Sequence, residues 1–168
     1  IEFDFTENLD LDAFEKLIKP NTKAIYIETP SNPLLQIVDI KKVAELAKQH
    51  NLISIIDNTF ATPINQQPIV LGIDIVLHSA TKYFGGHSDI TAGAIAGNAS
   101  TIEKIRNKAI NLGGNLADFT AWLLERSMKT LALRVHQQNY NALKIAQFLQ
   151  DHDNVAHVHY PGLRIHPQ

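Results

Sequence analysis

The run LISIID, residues 52–57, is apolar at four of its six positions and closes on an aspartate. A segment this short and this apolar reads as a strand of a parallel sheet, buried on both faces. Ahead of it, KAIYIE (23–28) is rich in β-formers, and the two prolines of the TPSNP that follows prevent its continuation. Between these strands, DIKKVAELAKQH sets Ile40, Val43, Ala44, Leu46 and Ala47 largely on one helical face, with Asp39 placed as an N-cap. Strand, helix and strand in succession make a βαβ unit, which forces parallel pairing. Further strands are predicted at DIVLH (74–78) and AGAIAG (92–97), and helices over 100–111, 116–128 and 131–151. VAHVHY, before Pro161, is also strand-like.

Ligand groups in open α/β sheets gather where strands end and loops begin. Three such ends carry polar residues: Asn32 after the first strand, Asp57 after the second, and Ser79 to Lys82 after the next. Lys82, in DIVLHSATKYFGGHSD, ends an apolar run just before Gly85 and Gly86. Low-dielectric surroundings there would favour its neutral, nucleophilic amine, one route to a Schiff base. The plain alternative is a surface lysine capping a strand end. Asp57, at the mouth of a buried strand, needs a cationic or hydrogen-bonding partner. A carboxylate on a protonated ring nitrogen, together with a Schiff-base lysine, is what a protein contributes to pyridoxal phosphate (PLP) chemistry. The hydroxyls of Ser79 and Thr81 suit phosphate oxygens, and equally suit local backbone groups.

Composition removes other classes. With 168 residues, 45% of them hydrophobic, the chain can bury a substantial core. A net charge of −2 gives no electrostatic footprint for nucleic acid or an anionic membrane. There is no cysteine, so thiol nucleophiles and disulfides are excluded here, and an intracellular, cytoplasmic location is expected. No stretch approaches the ~20 apolar residues of a membrane helix. The eight histidines carry no metal expectation, since no carboxylate pair stands at ligand spacing. KIRNK (104–108) reads as a solvated helix face, and Phe119, Trp122, Leu123 and Leu124 as a core or subunit-contact stripe. Glu28 could support the pocket or cap a loop. The non-Met start and the unfinished LRIHPQ end read as an internal piece of a longer chain.

Together with YIETPSNP upstream, IIDNTFATP between and ERSMKTLALRV downstream, DIVLHSATKYFGGHSD closely resembles the Cys/Met metabolism family of PLP-dependent enzymes. That family includes cystathionine synthases and lyases, methionine gamma-lyase and O-acylhomoserine sulfhydrylases. The likeness runs along nearly the whole chain in the family's order. It implies an α/β fold: the central part of a PLP fold type I, aspartate aminotransferase-like large domain with a mostly parallel sheet. Residues 1–128 would belong to that domain, and 129–168 would start a smaller α+β C-terminal domain.

By the same resemblance, Lys82 matches the Schiff-base lysine that afterwards shuttles protons, and Asp57 the aspartate on the pyridine nitrogen. Ser79 and Thr81 match phosphate-holding hydroxyls, and Asn32 an asparagine near the cofactor's 3'-oxygen, although on its own it reads as a turn residue before proline. Thr59 and Phe60 would lie close to the ring, and Gly85, Gly86 and His87 would form a tight turn beneath the pocket. No metal is implied. Ser127 departs from the glycine that the family usually has after the arginine of this stretch. The family's stacking aromatic, its phosphate loop and the residues lent by a neighbouring subunit would precede Ile1. The arginine that binds the substrate carboxylate would follow Gln168, so the isolated segment is expected to be inactive. The implied activity is elimination or replacement at the β- or γ-carbon of a small sulfur amino acid or O-acylhomoserine, in a homotetramer built from dimers. An aminotransferase of the same fold and a non-catalytic scaffold are the alternatives.

Overall fold

The computed structural model describes residues 1–6 and 9–166. Its elements in chain order are α1 (Leu11–Lys16), β1 (Ala24–Glu28), α2 (Ile40–Gln49), β2 (Ile53–Asp57), α3 (Thr62–Asn65) and β3 (Ile75–Ser79), followed by β4 (Gly93–Gly97), α4 (Ala99–Leu112), α5 (Asp118–Met128) and α6 (Leu131–Gln150). The sheet order is β1-β2-β3-β4. β1, β2 and β3 are parallel, and β4 returns antiparallel along β3.

The βαβ unit forms as its pattern predicts. Asp39 caps α2, its Oδ1 accepting from the Lys42 amide at 3.2 Å, and all five residues of the expected apolar face are buried. They pack with Ile25, Ile27, Ile56 and Val76 of the sheet in one core. α1 and α3 are too short to have shown a period. Asp10 nevertheless caps α1 through the Ala13 amide at 2.8 Å, and Leu11 and Phe14 pack against the α2 core.

β2 is not buried on both faces as its apolar run suggests. Ile53 is 47% exposed, and Tyr26, on the same face of β1 opposite Ile55, is 56% exposed. The cause is one-sided cover: α2 lies on the face that carries Ile25, Ile27 and Ile56, while successive side chains alternate between faces. VAHVHY likewise forms no strand. A strand requires a neighbour to pair with, and the described sheet ends at β1 and β4.

A second core lies beyond the carboxyl end of β3. Ala80 and Phe84 from the turn after the strand meet Leu131 and Val135 of α6, with Leu124 of α5 packed alongside. The segment carrying Lys82 is therefore seated on the junction between α5 and α6. Phe119 and Trp122, on the outer side of α5, are exposed, and KIRNK is largely solvated as expected.

Candidate active site

Parallel register aligns Glu28 with Asp57 across β1 and β2, and Asp57 with Leu77 across β2 and β3. Ser79 is two positions beyond Leu77, so Asp57 and Ser79 belong to the same face of the sheet. Three hydrogen bonds then connect the aspartate to the lysine segment. Asp57 Oδ1 accepts from the Thr59 amide at 2.9 Å, Thr59 Oγ1 accepts from the Ser79 amide at 2.7 Å, and the Ser79 carbonyl accepts from the Lys82 amide at 3.0 Å. Asp57, Thr59, Ser79 and Lys82 are thereby gathered at two adjacent strand ends.

Behind them lies a polar network that sequence reasoning missed. Asn58 is fully buried; its Nδ2 donates to the Gln66 carbonyl at 3.1 Å, and its Oδ1 accepts from Gln66 Nε2 at 2.7 Å. Gln66 Nε2 also reaches the Thr29 carbonyl at 2.9 Å, and the Asn58 amide donates to the Leu77 carbonyl at 2.9 Å. The ends of all three parallel strands are tied through these groups. A polar residue directly after a buried strand end was the available signal, since such a group must find partners inside.

The remaining predicted residues divide. Thr81 directs its hydroxyl to its own loop, accepting from the Ala92 amide at 2.9 Å and donating to the Ala92 carbonyl at 3.2 Å. Asn32 is exposed in the loop after β1, and among the described residues no hydrogen bond joins it to the other four. Phe60 tilts against Tyr83, with ring centroids 6.4 Å apart. Lys82 is exposed, so the low-dielectric setting anticipated for it is not supplied by these residues: it lies in the turn, three positions beyond the last residue of β3. Within the chain, neighbouring side chains approach the two glycines closely. A Cβ at Gly85 would lie 2.7 Å from Ile90 Cγ1, and one at Gly86 would lie 2.6 Å from Arg134 Cζ.

Charge is concentrated on the Asp57 side. Burial, and then the Asp57 carboxylate, push the Glu28 carboxyl above its ordinary range. The Tyr26 phenol is raised by burial, then by Asp57 and Glu28. His78 is stacked on Phe84 with centroids 4.7 Å apart, and burial lowers its pKa against the opposing pull of Asp57. Among the described residues no ion pair reaches Glu28 or Asp57.

The family model described as "Cys/Met metabolism PLP-dependent enzyme" matches residues 1–168. The chain belongs to this family. It is 50% identical, over 99% of its length, to a cystathionine beta-lyase of Lactococcus lactis subsp. cremoris strain MG1363, covering 44% of that protein. It is 47% identical, over 100% of its length, to a probable cystathionine gamma-synthase of Herpetosiphon aurantiacus, covering 53% of it. A crystal structure of cystathionine gamma-lyase from Lactobacillus plantarum complexed with L-serine superposes with a TM-score of 0.92 at 51% identity, over 95% of this chain and 42% of that one. The chain spans about half the length of the curated relatives it matches. Its fold is that of the PLP fold type I enzymes.

The donor set fits the family's cofactor. Asp57 offers a carboxylate for a protonated ring nitrogen, Lys82 a primary amine for an aldehyde, and Ser79 a hydroxyl for a phosphate, all at adjoining strand ends. Among the described residues Lys82 makes no ion pair and Ser79 Oγ no hydrogen bond, so both groups are available to a ligand.

Proposed function

We propose that the protein containing this chain is a PLP-dependent enzyme of sulfur amino-acid metabolism. It would catalyse elimination or replacement at the β- or γ-carbon of cystathionine, methionine or an O-acylhomoserine. The observation that carries this reading is the hydrogen-bonded succession Asp57, Thr59, Ser79, Lys82 within a chain matched by the family along its whole length.

Lys82 Nζ would attach the cofactor, and Asp57 would accept a hydrogen bond from its ring nitrogen. Ser79 would donate to the phosphate, and Thr81 would join it by turning its proton away from Ala92. Asn32 would lie near the 3'-oxygen and Thr59 beside the ring. Bound PLP supplies an electron sink for negative charge at the substrate α-carbon. With the substrate amine bound in its place, the Lys82 amine would be the group to take the α-proton and later return a proton to the product or leaving group. A charge on Asp57 would favour a protonated ring nitrogen and so strengthen that electron demand.

The chain is about equally similar to a β-lyase and a γ-synthase, at 50% and 47% identity. Its residues accordingly carry the chemistry common to both, and the choice between them rests on groups elsewhere in the protein. We assign residues 1–128 to the cofactor domain and 129–168 to the start of the C-terminal domain of a cytoplasmic homotetramer. Among the described residues, no helix is long and apolar enough to cross a membrane.

The test is borohydride reduction of the full-length protein supplied with PLP, followed by peptide mass spectrometry. A pyridoxyl label on Lys82, absent from Lys82→Ala, together with release of a 2-oxoacid or a new thioether from the sulfur substrates, is expected. A folded protein that takes no label would overturn the reading. A labelled protein that only exchanges amino groups would move it to an aminotransferase.

A further inference from the structure

Three amides of the segment carrying Lys82 are satisfied locally. The Lys82 amide donates to the Ser79 carbonyl, the Gly85 amide to the Ala80 carbonyl at 2.8 Å, and the Gly86 amide to the Lys82 carbonyl at 2.7 Å. The carbonyls of Tyr83 and Phe84, the two residues after the lysine, are served from a distant element instead. Arg134, in the first turn of α6, donates from Nη1 to the Tyr83 carbonyl at 2.7 Å and from Nη2 to the Phe84 carbonyl at 3.3 Å. Its Nη2 also reaches the Ser127 carbonyl near the end of α5 at 3.1 Å, and its Nε the Thr130 hydroxyl at 3.1 Å. One guanidinium thus joins the lysine turn to the α5–α6 junction.

Two features make this a built device. The planar fork of arginine can serve several carbonyls in fixed directions, which an ammonium cannot. Gly86, with φ of 75°, adopts a left-handed conformation and leaves the space that the fork occupies, since a Cβ there would collide with it. The apolar cluster of Phe84, Leu131 and Val135 sets the same elements together without fixing the direction of the carbonyls. Direction is what the lysine needs, because a displacement of about 1 Å at a reacting group costs on the order of a hundredfold in rate.

We propose that Arg134 is a positioning residue for Lys82, acting through the Tyr83 and Phe84 carbonyls and admitted by Gly86. The proposal rests on the reading of Lys82 as the cofactor lysine. Its test uses the full-length protein with Arg134→Met, Arg134→Lys and Gly86→Ala; the last pushes the fork aside while keeping its charge but also strains its own left-handed backbone, so the two arginine variants carry the exchange comparison. In the cofactor-free form, amide hydrogen exchange in the peptide spanning residues 80–87 should quicken by about tenfold or more in both arginine variants. In the loaded form, the pH midpoint of the lysine-bound cofactor's absorbance should move by about half a unit or more, and kcat should fall more than KM rises. Arg134→Lys should resemble Arg134→Met, because the fork is lost in both. Unchanged exchange and an unchanged midpoint in any folded variant would overturn the proposal. If Arg134→Met does not fold, Arg134→Lys gives the decision. Wild-type protein that takes no borohydride label at Lys82 would instead overturn the reading of function, while the exchange measurement would still judge the clamp.

Discussion

Glu28 and Asp57 are register partners at the carboxyl ends of β1 and β2, so two carboxylates stand side by side on one face of the sheet. Burial raises the Glu28 carboxyl, and the neighbouring charge of Asp57 raises it further. Through the interval from the ordinary glutamate value up to the raised one, the folded state binds more protons than the unfolded chain, so stability falls as pH rises. Glu28→Gln should therefore be the more stable protein at pH 7, and the difference should vanish below about pH 4. Denaturant titrations of the full-length protein at both pH values check this; an advantage that is the same at each would contradict it.

Asp57→Asn separates charge from shape. The asparagine Oδ1 can still accept from the Thr59 amide, so the loop should hold and thermal stability should not drop. Losing the charge opposite the ring nitrogen should lower kcat/KM by roughly 10²–10³-fold. Steady-state kinetics beside a melting curve tests both halves, and near-native kcat/KM would remove Asp57 from its assigned role.

Thr59→Val removes the acceptor of the Ser79 amide while keeping the side-chain volume. An amide left without its partner costs about 1–3 kcal/mol. Thr59→Ser should recover most of that in urea unfolding. Equal stability of the valine and serine variants would mean that the bond contributes nothing.

Asn58→Ala removes the donor to the Gln66 carbonyl and one of the two acceptors of Gln66 Nε2, and should cost about 1–3 kcal/mol. Because the two residues act together, Gln66→Ala should cost less in that background than alone, with a coupling of about 0.5–3 kcal/mol. Additive losses in the double-mutant cycle would show that the network is not a unit.

Elements defined by local pattern were legible in the sequence. Asp39 and the spacing of Ile40 to Ala47 foretold both the cap and the buried face of α2, and Asp57 and Lys82 stood out because each is a charged residue beside an apolar run. Elements defined by partners were not. Nothing local tells Ile53 that α2 covers only the opposite face, or VAHVHY that none of the described strands pairs with it. The two threonines near the lysine look alike in sequence, yet one accepts from Ser79 and the other closes on Ala92. Arg134 gave no signal, since its partners are 50 and 51 positions away.

That separation also has a meaning in time. A ribosome adds about 5–20 residues per second, so roughly three to ten seconds pass between synthesis of Tyr83 and synthesis of Arg134, 51 positions later. For that interval the Tyr83 and Phe84 carbonyls are without the guanidinium that later holds them. The turn is made early and clamped late, and the direction of these two carbonyls awaits emergence of the helix that begins at Leu131.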